Sequence, residues 1–132
     1  RWKNDPLVVD KWLAIQATSR LPNTLERVKE LTRHPAFNIK NPNKVRALIG
    51  AFSANPVRFH DPGGAGYEFL AEHVLKIDPL NPQIAARLVS AFTLWKRYDE
   101  KRKALMKTQL ERIVNTPKLS KDVYEIVSKS LA

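Results

Sequence analysis

Apolar residues recur along this chain at three- and four-residue intervals, and seven stretches repeat this pattern long enough to define one buried helical face. Val8, Trp12 and Ile15 make the first stripe, Leu21, Leu25, Val28 and Leu31 the second, and Val45, Leu48, Ile49 and Phe52 the third. Tyr67, Leu70, Val74 and Ile77 make the fourth; Ile84, Leu88, Phe92 and Trp95 the fifth. Met106, Leu110 and Ile113 mark a more polar sixth, and Val123, Ile126, Val127 and Leu131 the last. No stretch sustains the alternation of a strand. The breaks are punctuated by Pro22, by Pro35 with Pro42, and by a longest loop, Asn55 to Gly66, with two prolines and three glycines.

The helix starts repeat. Asn41-Pro42 opens a segment closing with Leu48, Ala51 and Phe52; about forty residues later Asn81-Pro82 opens one closing with Leu88, Ala91 and Phe92. A weaker copy, Asp5-Pro6 with Trp12 and Ile15, precedes them, and a start signal at Ser120 follows about one period later. An asparagine oxygen can accept from free first-turn amides, and proline at the first helical position gives up an amide that has no partner there. A period near forty residues is that of a helix pair in HEAT or armadillo stacks. The expected fold is therefore all-α, with stacked antiparallel helix pairs in a HEAT/armadillo-like superhelix of about seven helices. The 132 residues form a single helical domain in this reading, the last part of a larger helical domain.

Composition narrows the classes. A hydrophobic share of 43% excludes a disordered chain, no apolar run is long enough to span a membrane, and no signal-peptide pattern is present. Arg1 opens without methionine in helix-like sequence, as expected of a piece of something longer. The absence of cysteine excludes disulfides and thiolate metal sites and fits a reducing compartment, with a cytoplasmic location expected. The net charge of +10 is unevenly placed. No acid lies between Glu30 and Asp61, a stretch holding Arg33, Lys40, Lys44, Arg46 and Arg58, or between Asp78 and Asp99, which holds Arg87, Lys96 and Arg97. In a stack of helix pairs the first helices share a wall, so this charge would gather on one surface. A merely solvated basic face is the plain alternative.

Catalytic constellations are missing. His34, His60 and His73 are not spaced to share a zinc ion, and adjacent Glu72-His73 point about 100° apart on a helix. No serine stands in G-x-S-x-G. Asp61-Pro62-Gly63-Gly64-Ala65-Gly66 lacks the strand and the Gly-Lys-Ser/Thr of a phosphate loop and reads as a tight turn delivering Tyr67 to the next helix. Asp99, Glu100, Lys103 and Lys107 read as ion pairing on a solvated helix face. Arg46 and Arg87 stand apart, each within an apolar helix and each sharing a face with an amide, Asn43 three residues before Arg46 and Gln83 four before Arg87. Such a guanidinium would hold a carboxylate through two parallel hydrogen bonds; the alternative is that it satisfies helix-terminal carbonyls or a nearby acid.

The run Asn41-Pro42-Asn43-Lys44-Val45-Arg46-Ala47-Leu48-Ile49-Gly50-Ala51-Phe52 carries a family resemblance, together with Asn55-Pro56, Phe59-His60, Gly66-Tyr67 and Phe69-Leu70. So do Asn81-Pro82-Gln83, Ala86-Arg87-Leu88, Lys96-Arg97-Tyr98-Asp99, Lys101-Arg102, Tyr124-Glu125 and Leu131-Ala132. From Trp2 to its end the chain resembles the extreme C-terminal part of the bacterial aminopeptidase N family. The resemblance implies a zinc aminopeptidase that removes residues one at a time from peptide N-termini, with a thermolysin-like catalytic domain and a helical C-terminal domain closing over it. The family's H-E-x-x-H zinc motif and G-A-M-E-N motif belong to the catalytic domain; neither occurs here, and Gly50-Ala51-Phe52 is no remnant of the latter. The implied segment is non-catalytic and without a cofactor of its own, zinc belonging to the parent enzyme. Its implied partners are the catalytic domain of the same chain and short peptides, with no nucleic acid and no membrane. Arg46, Gln83 and Arg87 are the expected substrate-chamber residues. The other readings are a basic helical-repeat module on nucleic-acid backbone and a protein-binding scaffold. Trp2 and Trp12 are expected on an apolar flank of the first helix.

Overall fold

In the computed structural model, which describes residues 6–132, eight α-helices carry the chain and no strand occurs among the described residues. They fall into two compact units, one ending at Phe59 and the other His60–Ala132. The Asp5-Pro6 start signal and Trp2 lie outside the described residues, although α1 (Pro6–Ala17) begins at that proline.

In the first unit α1 packs against α2 (Thr24–Leu31) and against α3, which spans 42–53. Asn41 caps α3 as its sequence predicts, its side-chain oxygen accepting from the Asn43 amide at 3.0 Å ahead of Pro42 at the first turn. Val45, Leu48, Ile49 and Phe52 are all buried, so the third stripe holds. The first does not: the buried face of α1 is Val9, Leu13 and Ala17, while Val8 and Ile15 are 36% and 66% exposed. Both stripes obey the helical period, and the face with four-residue spacing meets α2 and α3. Trp12 is half-buried, edge-on to His34 at 5.4 Å. The second stripe loses Leu21, which is exposed in the turn before α2, and Thr24 is buried in its place.

Asn55 does more than the loop reading expects. It is 3% exposed; its amide nitrogen donates to the Ala17 and Ser19 carbonyls at 3.0 and 2.8 Å, closing α1. Its oxygen accepts from the Arg58 amide and so opens the short α4 (Pro56–Phe59), placing Phe59 edge-on to Phe52. Asn55-Pro56 is thus a third helix-start dipeptide inside the expected loop.

In the second unit Gly64, at φ +79°, turns the chain into α5 (Ala65–Ile77) and delivers Tyr67 into the core, fully buried against Phe92. An L side chain there would be strained, and a Cβ would sit 3.1 Å from Leu105. Tyr67, Leu70, Val74 and Ile77 are buried as predicted. α5 packs on α6 (Pro82–Val89) and α7 (Glu100–Val114), and α8 (Lys121–Leu131) packs on both α6 and α7. Asn81 and Ser120 cap α6 and α8 as the start signals predict, and Asp99 caps α7 by accepting from the Arg102 amide. Trp95 is buried but lies beyond α6, in a 3-10 turn, Trp95–Arg97, where its indole N–H donates to the Ser130 carbonyl.

Candidate functional site

Arg46 begins a π turn, Arg46–Gly50, within α3, where the Ala51 amide reaches back to the Arg46 carbonyl. Such single-turn bulges concentrate at functional positions. Its side chain is exposed and donates through Nη2 to the Asn43 side-chain oxygen, so the predicted Asn43–Arg46 pairing forms. Lys44, from the same basic stretch, takes no part: it is buried and ion-paired with Asp10 of α1. A buried ammonium needs such a partner, and helix packing brings the acid from 34 residues away.

Gln83 and Arg87 lie one turn apart on the exposed face of α6, because Ile84, Ala85, Leu88 and Val89 take the opposite face into the core. Among the described residues the Arg87 side chain has neither a hydrogen bond nor an ion pair. Among the described residues it therefore meets no helix-terminal carbonyl and no acid. A guanidinium so placed keeps five donors available for a planar oxygen pair, with a primary amide beside it. Arg46 belongs to the first unit and Gln83 with Arg87 to the second.

Each histidine engages its Nδ1 locally. His34 Nδ1 accepts from the Ala36 amide at 2.9 Å, and His73, 6% exposed, donates from Nδ1 to the Phe69 carbonyl at 2.9 Å. Burial holds His73 below the ordinary histidine pKa. His60 Nδ1 shares a 2.7 Å hydrogen bond with the Tyr67 hydroxyl, and its ring stacks on Tyr98 with centroids 4.5 Å apart. The Arg102 guanidinium donates to the His60 carbonyl and to Asp99. Burial, and then Arg102, lower the His60 pKa; burial pushes Tyr67 up to about 12. No sequence spacing announces this His–Tyr–Tyr–Arg cluster; only the positions of Tyr67 and Tyr98 relative to His60 in the fold reveal it. No three of His, Asp or Glu converge on a possible metal position among the described residues. Glu72 pairs with Lys76, not with His73.

The acid–base run on α7 pairs in part: Lys103 with Glu100 at 3.0 Å and Arg102 with Asp99 at 2.9 Å, while the Lys107 side chain has no partner among the described residues. Beside it lies a groove of about 440 Å³ lined by Trp95, Lys96, Glu100, Lys103, Ala104 and Lys107. No helix is long and apolar enough to cross a membrane among the described residues.

Comparison with known proteins gives a consistent picture. A family model described as "Domain of unknown function (DUF3458_C) ARM repeats" matches residues 1–132. The chain is 53% identical over 131 residues to an aminopeptidase N of Caulobacter vibrioides, covering 98% of this chain and 15% of that protein. It is 44% identical over 133 residues to an aminopeptidase N of Escherichia coli, again 15% of that protein. A crystal structure of Legionella pneumophila aminopeptidase A in complex with aspartic acid superposes with a TM-score of 0.92 at 44% identity, covering 98% of this chain and 15% of that one. The chain thus spans about one-seventh of the length of the relatives it matches.

Proposed function

From the premise that this chain belongs to the DUF3458_C family of ARM-repeat domains, we propose that it is the non-catalytic C-terminal segment of a zinc aminopeptidase that removes N-terminal residues from peptides. The observation that carries the reading is the alignment of essentially the whole chain, at 53% and 44% identity, with proteins named aminopeptidase N. The metal and the hydrolytic machinery belong to the rest of the parent chain, a reading supported by the lack of any three converging His, Asp or Glu among the described residues. The catalytic domain of that chain is the partner of this segment, and the parent is a cytoplasmic enzyme.

Within that parent the segment caps the active site and lines the substrate chamber. Arg46, Gln83 and Arg87 face the peptide. The exposed, partnerless Arg87 supports this assignment, since its fork suits a peptide's C-terminal carboxylate while Gln83, one turn earlier, suits a backbone amide. The π turn at Arg46 supports a similar role on α3.

Two experiments test the reading. An H-E-x-x-H motif upstream in the same reading frame is the expected finding for the parent activity, and a frame without it refutes that activity. In the full-length enzyme, Arg87→Ala is expected to lower kcat/KM for tri- and tetrapeptides about tenfold, the low end for a hydrogen-bonded charged pair, chiefly through KM. Turnover of a small aminoacyl arylamide, which has no distant carboxylate, should stay within about twofold of the unaltered enzyme. Equal loss on both substrates removes Arg87 from the chamber.

A further inference from the structure

The groove beside α7 involves none of the residues assigned to the chamber. Three ammonium groups, Lys96, Lys103 and Lys107, and one carboxylate, Glu100, line it, with Trp95 and Ala104 supplying carbon surface. The Trp95 indole N–H is spent on the Ser130 carbonyl, so the tryptophan offers the groove no donor. Two of the ammonium groups already hold the kind of oxygen that a peptide carries. Lys103 is 3.0 Å from the Glu100 carboxylate, and Lys96 donates to the Ala132 carbonyl at 3.0 Å while lying 5.6 Å from the Trp95 ring centroid. Lys107 holds nothing among the described residues.

The Lys103–Glu100 contact is easily exchanged. Glu100 is 90% exposed and Lys103 31%, and an ion pair three residues apart on a helix with one fully solvated partner gains little over hydration. Lys103 and Lys107 are one turn apart on the same helix face, about 6 Å along the axis. In an extended peptide, side chains two residues apart project to the same side with a repeat of about 6.8 Å. An acid-x-acid segment therefore matches the two lysines in both sign and spacing.

We infer that this groove binds extended acidic peptide segments, with one carboxylate on Lys107 and the next but one displacing Glu100 from Lys103. The intervening peptide carbon lies over the exposed Ala104, beside the small part of Trp95 that reaches the groove. The site is independent of the role given to Arg87.

The test is calorimetric titration of the full-length protein with N-acetyl-Glu-Ala-Glu-amide. Its blocked ends provide no free amine for an aminopeptidase and no terminal carboxylate for Arg87, so failure of the chamber assignment leaves this readout untouched. The peptide is expected to bind, to bind more tightly than N-acetyl-Gln-Ala-Gln-amide, and to weaken as salt rises. Lys103→Gln with Lys107→Gln should weaken it by between about twofold and thirtyfold, the range for two exposed ion pairs. Lys107→Gln alone, at an exposed and partnerless position, should supply part of that loss with an unchanged melting temperature. Equal binding of the glutamine peptide, or unaltered affinity in both variants, overturns the inference. Tighter binding of pyrophosphate than of the acidic peptide at equal ionic strength also overturns it, since the groove would then be a phosphate site.

Discussion

Replacing Asp78 with alanine should destabilise the second unit by uncoupling the end of α5 from the start of α8. Asp78 closes α5 and is 4% exposed. Its two carboxylate oxygens accept from the Ser120 backbone amide at 2.8 Å and from the Ser120 hydroxyl, and that hydroxyl in turn accepts from the Val123 amide to cap α8. The negative charge is opposed by the C-terminal dipole of α5 but sits at the N-terminal end of α8, where it is favoured. Each hydrogen bond to a charged acceptor contributes about 1.5–3 kcal/mol, and alanine removes two. Relief from keeping a carboxylate out of water offsets part of this, and Ser120 is half-buried, so water reaches the freed donors in part. A net loss of about 2–4 kcal/mol remains, which for a chain of this size lowers the melting temperature by roughly 10 °C. Thermal and urea unfolding of Asp78→Ala, Ser120→Ala and the double variant measure it. The double variant should fall short of the sum of the singles by about 1–2 kcal/mol, since each single change breaks the same contacts. Additive losses, or an Asp78→Ala variant within about 0.5 kcal/mol of the unaltered chain, refute the reasoning.

Two further predictions rest on local chemistry. His73 is held neutral in the folded chain, with its pKa below the unfolded value near 6.5, so the unfolded chain binds the extra proton on acidification. Stability is therefore full above that value and falls as the pH drops below it, with a smaller share from the half-exposed His60; a urea midpoint unchanged between pH 7 and pH 5.5 refutes this. Lys118, exposed in the turn before α8, has φ +63°, so Lys118→Gly should raise the melting temperature by relieving left-handed strain, for a net gain of about 0.5–1 kcal/mol; a lower melting temperature is the contrary result.

Where local chemistry decides, the sequence is legible. Asn41, Asn81 and Ser120 cap the helices they announce, because a cap is settled within four residues. The stripe on α3 holds because only one face of that helix is richly apolar, and the stripe on α5 holds because that helix is buried on all but its Glu68–Glu72–Lys76 face. α1 is apolar on two faces, and periodicity cannot say which of Val8–Ile15 or Val9–Ala17 meets the neighbouring helices. Asn55-Pro56 carries the same signal as Asn41-Pro42, but the glycine-rich run after it masks a helix of one turn. The burial of Lys44 depends on Asp10, and the His60 cluster on Tyr98 and Arg102, partners too distant in sequence for spacing to reveal. Gln83 and Arg87 are legible as a pair because one turn of α6 fixes them on a common face.

The Asn-Pro dipeptides that open α3, α4 and α6 also bear on how the chain ages. Asparagine decays to aspartate when the backbone nitrogen of the next residue loses its hydrogen and attacks the side-chain carbonyl, and proline has no such hydrogen. At Asn55 the conversion would turn a donor facing the Ala17 and Ser19 carbonyls into a negative oxygen repelled by both. The residue whose decay would do most local harm is thus followed by the neighbour that blocks it, and slow chemical damage is directed instead to asparagines such as Asn115, which precedes a threonine at the exposed end of α7.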